Sequence, residues 1–329
     1  MKTGDTGDFY ALGPETVLDA VEASGLPCDG RLLALNSYEN RVYQVGVEDQ
    51  TPVVAKFYRP ERWSDAAISE EHAFSTELAG EEIPVVPPLP DERGNTLRQH
   101  QGFRFAIYPR VGGRAPELDL DDTLETMGRL LARIHNIGAL SRYQHRPSFD
   151  PIALGEDAIS HLLSLDRMPP ELGPVYEGVA RDVMLRVQAR FDAAGRLHSL
   201  RTHGDCHPGN ILWTESGPHF VDLDDSFNGP AVQDLWMLLA GDRGNQTRQL
   251  GTLIDGYEQF REFDRRELNL TEALRSLRML NYSAWLARRW EDPAFPRAFP
   301  WFDSARYWEE QILALREQMA AMDEPPLVV

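Results

Sequence analysis

Three oxygen-bearing side chains stand close together in the chain. Asp205 and Asn210 are separated by four residues, in a loop stiffened and opened by Gly204, Pro208 and Gly209, and Asp222 follows after two short apolar runs. Those runs, Ile211-Leu212-Trp213 and His219-Phe220-Val221, flank Thr214 to Pro218, whose Gly217-Pro218 pair is a turn signal, so the spacing predicts a β-hairpin. A hairpin returns the chain to its starting point, which puts Asp222 beside the loop that carries Asp205 and Asn210. Such a set suits phosphoryl transfer. One carboxylate can accept the proton of an attacking hydroxyl while an Asp and an Asn hold Mg2+ on nucleotide phosphates. A hydrophilic loop whose Asp and Asn only cap turns is the bland alternative, and loop, hairpin and second Asp together weigh against it.

The run from His203 to Asn210 has the form H-x-D-x-x-x-x-N with a further Asp downstream, the catalytic-loop pattern of kinases. The remaining parts of such a site can be sought upstream. Lys56 lies in an apolar run, Pro52 to Tyr58, as a phosphate-binding lysine does on the third strand of a kinase lobe. The segment Trp63 to Glu82 is expected to be a helix with Ile68, Phe74 and Leu78 on one face, and it carries Glu70 and Glu71. Glu71 stands two turns before Leu78 on that face, so it is preferred as the partner of Lys56. Cys206 and His207 sit inside the loop, but neighbours on an extended segment point apart and no second Cys/His cluster completes a zinc site. Cys206 is expected to be a small packing residue. His207 occupies a position that faces the γ-phosphate region in kinases.

The elements that must position these groups follow from the pattern of apolar residues. A short helix is expected over 14–25, apolar strand runs within 32–47, a strand over 103–108, and helices over 123–137, 159–165, 175–191, 232–240, 246–260, 267–290 and 304–322. Pro109-Arg110-Val111-Gly112-Gly113 ends the strand at 103–108 and reads as a hinge, 110–113, between a β-rich lobe (1–109) and a helical lobe (114–329). Tyr108 and Val111 flank it, where adenine would meet the backbone of a two-lobed kinase. His135 is expected to fill the core of its helix. Asp234 is expected to cap a helix start or reach back to the catalytic loop. The late aromatic residues, Trp285 to Trp308, fit either a substrate cleft lined with arginines or a plain helical core. The expected fold class is thus α+β: a small antiparallel β lobe with a helix, and a larger, mostly helical lobe.

Composition sets the outer bounds. The formal net charge of −19 disfavours nucleic acid and anionic membrane as partners and leaves room for a basic protein or a cationic small molecule. Two cysteines, Cys28 and Cys206, make no disulfide framework, and the charged start of the chain is no signal peptide, so a cytoplasmic location is expected. A monomer is expected as well.

The catalytic stretch, with Gly204 where eukaryotic kinases carry Arg, resembles the aminoglycoside phosphotransferase and choline kinase branch of the kinase fold, and Leu131-Ala132-Arg133-Ile134-His135 is similar to a helix signature of that branch. Leu35 to Gln44, Lys56 to Trp63, Asp234 to Leu239 and Asp292 to Pro296 resemble the stress-response kinases of bacteria within it. The likeness runs from about residue 14 to Pro326. It implies an ATP- and Mg2+-dependent serine/threonine protein kinase that autophosphorylates. Asp205 would be the proton acceptor, Asp222 a second catalytic residue, and Asn210 and Asp222 the metal ligands. Ser37 would lie over the ATP phosphates. Because that loop lacks G-x-G-x-x-G, Ser37, Tyr38 and Asn40 would cover the phosphates with hydroxyl, amide and backbone donors. No Ala-Pro-Glu segment marks an activation loop. A kinase of amino alcohols or aminoglycosides is the rival enzyme, and a nucleotide-binding scaffold without turnover is the rival from outside enzymes.

Overall fold

The computed structural model describes residues 9–165 and 167–329; residues 1–8, the start of the charged N-terminal stretch, lie outside them. In chain order the strands are β1 (Cys28–Ala34), β2 (Arg41–Val47), β3 (Val53–Phe57), β4 (Arg98–His100), β5 (Phe103–Pro109), β6 (Leu200–Arg201), β7 (Ile211–Thr214), β8 (Gly217–Phe220) and β9 (Asn228–Gly229). The α-helices are α1 (Pro14–Glu22), α2 (Asp65–Gly80), α3 (Asp121–Gly138), α4 (Pro151–Leu163), α5 (Gly173–Ala194), α6 (Arg243–Tyr257), α7 (Thr271–Arg288), α8 (Ala294–Ala298) and α9 (Ala305–Asp323). This is the α+β class expected, an antiparallel sheet followed by a mostly helical remainder. The described chain divides into two compact units. One comprises the residues up to 117 with 133–147 and 203–227, and the other 118–132, 148–202 and 228–329.

In the first unit the sheet runs β1-β2-β3-β5-β4, every pairing antiparallel. Alternation along β3 decides what each face holds. Val53, Ala55 and Phe57 turn toward α1, where Val17, Ala20 and Val21 close an apolar layer with Phe105 and Ile107. Lys56 therefore turns to the opposite face, against which Ile68 of α2 packs with Tyr58 and Ala106. Ser64 starts α2 by accepting the main-chain N–H of Ala67 at 3.1 Å, and Glu71 and His72 fall on its buried side together with Ile68, Phe74 and Leu78.

The hairpin forms as spaced, but its turn is tighter than the sequence suggests. Trp213 pairs with Pro218 and Thr214 with Gly217, so Pro218 sits inside β8 rather than in the turn. The Thr214 hydroxyl explains the tightening, because it accepts from Ser216 N and donates to the Gly217 carbonyl. β7 gains a partner in Arg114, and β8 gains one in the proline-rich segment, where Val85 bridges Phe220 in parallel.

The second unit holds the helical core. Tyr176, Phe295, Phe302 and Trp308 are fully buried there among α4, α5, α7 and α9. The late aromatics are thus mainly core, with Trp301 the more exposed exception. The helix expected at 232–240 is instead two 3-10 turns, Ala231–Asp234 and Trp236–Leu238. Val232, Leu235, Trp236, Leu238 and Leu239 are all buried, so no polar face exists to favour a regular surface helix, and Glu267 accepts the Val232 N–H at 2.7 Å. His135 is fully buried, as expected of a core residue, and Asp234 is buried within the second unit.

Candidate active site

The site is built within the first unit. Val221 N donates to the Asn210 carbonyl at 3.0 Å, and His203 Nε2 lies 3.0 Å from the Val221 carbonyl. Those two contacts clamp the end of the hairpin to the loop, which brings Asp222 beside Asn210 and Asp205. Gly204 makes the approach possible. It has φ of +88°, and a β-carbon there would stand 2.1 Å from the carbonyl oxygen of Asp225. Asp222 itself adopts the left-handed conformation, φ 60° and ψ 63°, at the exit of the hairpin, and its side chain is half-exposed.

Inside the loop, Asn210 donates its side-chain amide to the Asp205 carbonyl at 3.0 Å and lies 3.4 Å from the Asp205 carboxylate. That leaves Oδ1 of Asn210 free of the Asp205 contacts, and it and the carboxylate of Asp222 are oxygen donors of the kind a hard divalent cation takes. Among the described residues no cluster of three or more His, Cys, Asp or Glu side chains could hold a metal by itself, so other oxygens would have to complete such a shell. His207 folds back on the loop. Its Nδ1 accepts from Gly209 N at 3.0 Å, and its Nε2 is 3.4 Å from Asp205 Oδ2. A neutral imidazole held this way carries its proton on Nε2, facing the carboxylate. Cys206 is buried, as befits a packing residue.

Lys56 reaches the same place from β3. Its ammonium lies 2.6 Å from Asp222 Oδ1 and 3.5 Å from Asp224 Oδ1. Burial works against the charged lysine, but Asp222 and then Asp224 outweigh it and hold its pKa above the ordinary value. Glu71 does not take the lysine: among the described residues no ion pair within 4.0 Å joins them. It is buried beside His72, with Glu71 Oε2 3.7 Å from His72 Nε2 and without a hydrogen bond. Burial pushes its pKa up to about 7, with Lys56 and Arg146 offsetting part of the effect. The helix is joined to the sheet through His72 instead. Tyr58 Oη is 2.7 Å from His72 Nε2 and 2.9 Å from Tyr108 Oη, and Thr96 Oγ1 is 2.8 Å from His72 Nδ1. Burial first, then Lys56 and Arg146, bring the His72 pKa down to about 3, so this imidazole stays neutral.

The remaining expected residues lie around this centre. Ser37 donates its hydroxyl to the Asn40 carbonyl at 3.1 Å, Tyr38 is exposed, and the Asn40 amide donates to Asp224 Oδ2 at 3.0 Å while its Oδ1 accepts from Arg59 N. Arg59 holds the loop from behind by donating to the carbonyls of Glu39 and Tyr38. Tyr108 directs its hydroxyl to the α2 side, and Val111 is half-buried beyond β5. Motif reading missed Arg62, Asp224 and Arg146. Arg62 pairs with Asp224 and Asp225, and Arg146 donates to the carbonyls of Ala67, Asp224 and Ser226 while its guanidinium covers Trp63. Glu70, passed over in favour of Glu71, accepts the main-chain N–H groups of Gln144, His145 and Arg146. The D-x-D spacing of Asp222 and Asp224 was the available signal for one of these; the others depend on contacts distant in sequence.

Comparison with known proteins gives the family of the chain. Residues 31–270 match the phosphotransferase enzyme family. The chain is 46% identical over 326 residues to stress response kinase A of Escherichia coli K12, covering 97% of this chain and 96% of that one. It is 47% identical over 329 residues to the serine/threonine protein kinase RdoA of Salmonella typhimurium LT2, again covering 97% and 96%. Among solved structures, amicoumacin kinase in complex with AMP-PNP, Ca2+ and Ami is similar with a TM-score of 0.71 at 17% identity, covering 94% of this chain and 93% of that one. A microcompartment-associated aminopropanol kinase gives 0.66 at 16% identity, covering 92% and 98%. These two likenesses speak to the fold.

Proposed function

We propose, given that the chain belongs to the phosphotransferase enzyme family and is a kinase, that it is an ATP- and Mg2+-dependent serine/threonine protein kinase of a bacterial stress response. The observation that carries this reading is the convergence of Lys56, Asp205, Asn210 and Asp222 in one compact unit. The names borne by relatives at 46% and 47% identity favour a protein hydroxyl as acceptor. Autophosphorylation and a cytoplasmic site of action belong to the same proposal; no described helix is long and apolar enough to cross a membrane. The functional lobes are proposed as residues 1–109 and 114–329 about a hinge at 110–113.

In this mechanism Asp205 orients the acceptor hydroxyl and takes its proton as the oxygen attacks the γ-phosphorus, the bond to the β–γ bridging oxygen breaks and ADP leaves. Lys56 neutralises phosphate charge, and Ser37, Tyr38 and Asn40 belong to the loop over the phosphates. Asn210 and Asp222 would hold Mg2+, which supplies charge neutralisation at the β- and γ-phosphates. Tyr108 and Val111 flank the adenine. Incubation with labelled ATP and Mg2+, with a basic protein in one series and amino alcohols and aminoglycosides in another, tests the reading. Label on Ser or Thr of protein is the expected result. Label on the small molecules alone would replace it with a small-molecule kinase, and nucleotide binding without transfer to any acceptor would leave a scaffold.

A further inference from the structure

The partner of the nucleotide lysine is the least expected feature of the site. Lys56 has two carboxylates within reach, and they differ in what else they do. Asp222 is the nearer, at 2.6 Å, but its side chain is half-exposed at the hairpin exit, and it is the group offered as a metal ligand. Asp224, at 3.5 Å, is 3% exposed and held from several directions. Its Oδ2 accepts from Asn40 Nδ2 at 3.0 Å and pairs with Arg62, and its main-chain carbonyl accepts from Arg146 at 2.9 Å. A cation cannot draw both oxygens of Asp224 away without uncovering Arg62 and Asn40. Glu71, the expected counter-ion, forms no such contacts with Lys56, and its Oε2 has no hydrogen bond.

We propose that Asp224, not Glu71, is the standing counter-ion and positioning residue of Lys56, and that it fixes the loop 36–40 through Asn40 and the segment 59–63 through Arg62. The inference rests on the nucleotide-binding reading above. It assigns this chain a way of organising the site without glycines in the phosphate loop. A buried carboxylate serves as the common anchor for lysine, loop and arginine: its Oδ2 accepts from Asn40 and pairs with Arg62, while its Oδ1 has no hydrogen bond and faces the Lys56 ammonium at 3.5 Å. Arg59 completes the arrangement by donating its guanidinium to two of the loop's carbonyls, those of Glu39 and Tyr38.

The test is calorimetric titration with ATP in EDTA, so that metal ligation by Asp222 does not enter, on wild type and on Asp224→Asn, Asn40→Ala and Glu71→Gln. Asp224→Asn keeps the shape and loses the charge. It is expected to weaken ATP binding per folded molecule by about tenfold or more, whereas Glu71→Gln weakens it by less than about threefold. A loss confined to the folded fraction, with an unchanged Kd, would mark Asp224 as merely structural and overturn the proposal. So would the reverse ranking of Asp224→Asn and Glu71→Gln. Should Asp224→Asn fail to fold, Asn40→Ala decides, since it leaves every buried charge paired: about threefold weaker binding supports the anchor, and an unchanged Kd overturns it. Wild type that binds no ATP with or without Mg2+ would overturn the functional reading itself, a result distinct from all of these.

Discussion

Behind the central strand of its sheet the first unit buries charge, whereas the helical unit buries rings. Lys56, Arg146 and Asp224 are all under a tenth exposed in the first unit, with Glu71 and a neutral His72 buried beside them. In the second, Tyr176, Phe295, Phe302 and Trp308 fill the equivalent depth, with Tyr176 and Trp308 meeting edge to face at 5.6 Å. The two interiors fail in different ways. Apolar packing loses stability in proportion to the volume removed, while a network of buried charges holds until one member is taken and then leaves the rest unpaired. The difference also marks where function resides. Burying several charges in one place carries a desolvation cost, and here those charges surround the candidate site.

The sharpest way to test this contrast is to remove a group that does chemistry and little else. Asp205→Ala is expected to lower phosphoryl transfer by about 10²–10⁴-fold while ATP binding persists, because Lys56, Asn210 and Asp222 are left in place. Single-turnover kinetics beside nucleotide titration would measure both. Near-normal turnover would break the assignment of Asp205 as proton acceptor. The opposite experiment belongs to the other interior. Trp308→Ala is expected to cost about 3–5 kcal/mol of stability, read by denaturant unfolding, while kcat of the molecules that remain folded stays close to that of wild type. A Trp308→Ala protein that is stable but catalytically dead would erase the division between a chemical interior and a cohesive one.

The same division explains what could be read in the sequence. Asp205, Asn210 and Asp222 were legible because their spacing is local and a hairpin converts local spacing into proximity. Lys56 was legible because β3 alternates, so a lysine among valines must turn to the face opposite Val53 and Ala55. The partner of Lys56 was not. Which carboxylate meets it depends on how far α2 stands from β3 and on the turn after β8, and neither distance is written in any short motif. Arg146 is joined to Ala67 and Asp224, residues remote in the chain, so no window of sequence connects them. The segment at 232–240 misled for a simpler reason, since its polar residues, Gln233 and Asp234, are buried together with the apolar ones and leave no solvent face for a surface helix.

Glu71→Gln gives the smallest effect and the finest test of what burial does to charge in the first unit. An unfolded chain ionises this carboxyl near the ordinary value of 4.5, whereas in the fold burial raises it to about 7. Between those values the native state binds the extra proton and the unfolded state does not, so wild type loses stability as pH rises through this window. The sense is opposite to that of a salt-bridged carboxylate. The full span corresponds to about 3 kcal/mol, lost by the time pH exceeds the folded pKa. Gln keeps the shape of the protonated acid and cannot ionise. The variant is therefore expected to hold its stability between pH 5 and pH 8 better than wild type, with the two converging at the acid end. Glu267, in the second unit, is raised by burial to about 7 as well, so the absolute pH dependence of wild type contains both groups. The difference between wild type and Glu71→Gln isolates the one behind the sheet. Urea unfolding at several pH values measures it, and a difference that stayed constant from pH 5 to pH 8 would mean that Glu71 is ionised in the fold, with Lys56 closer to it than Asp224 allows.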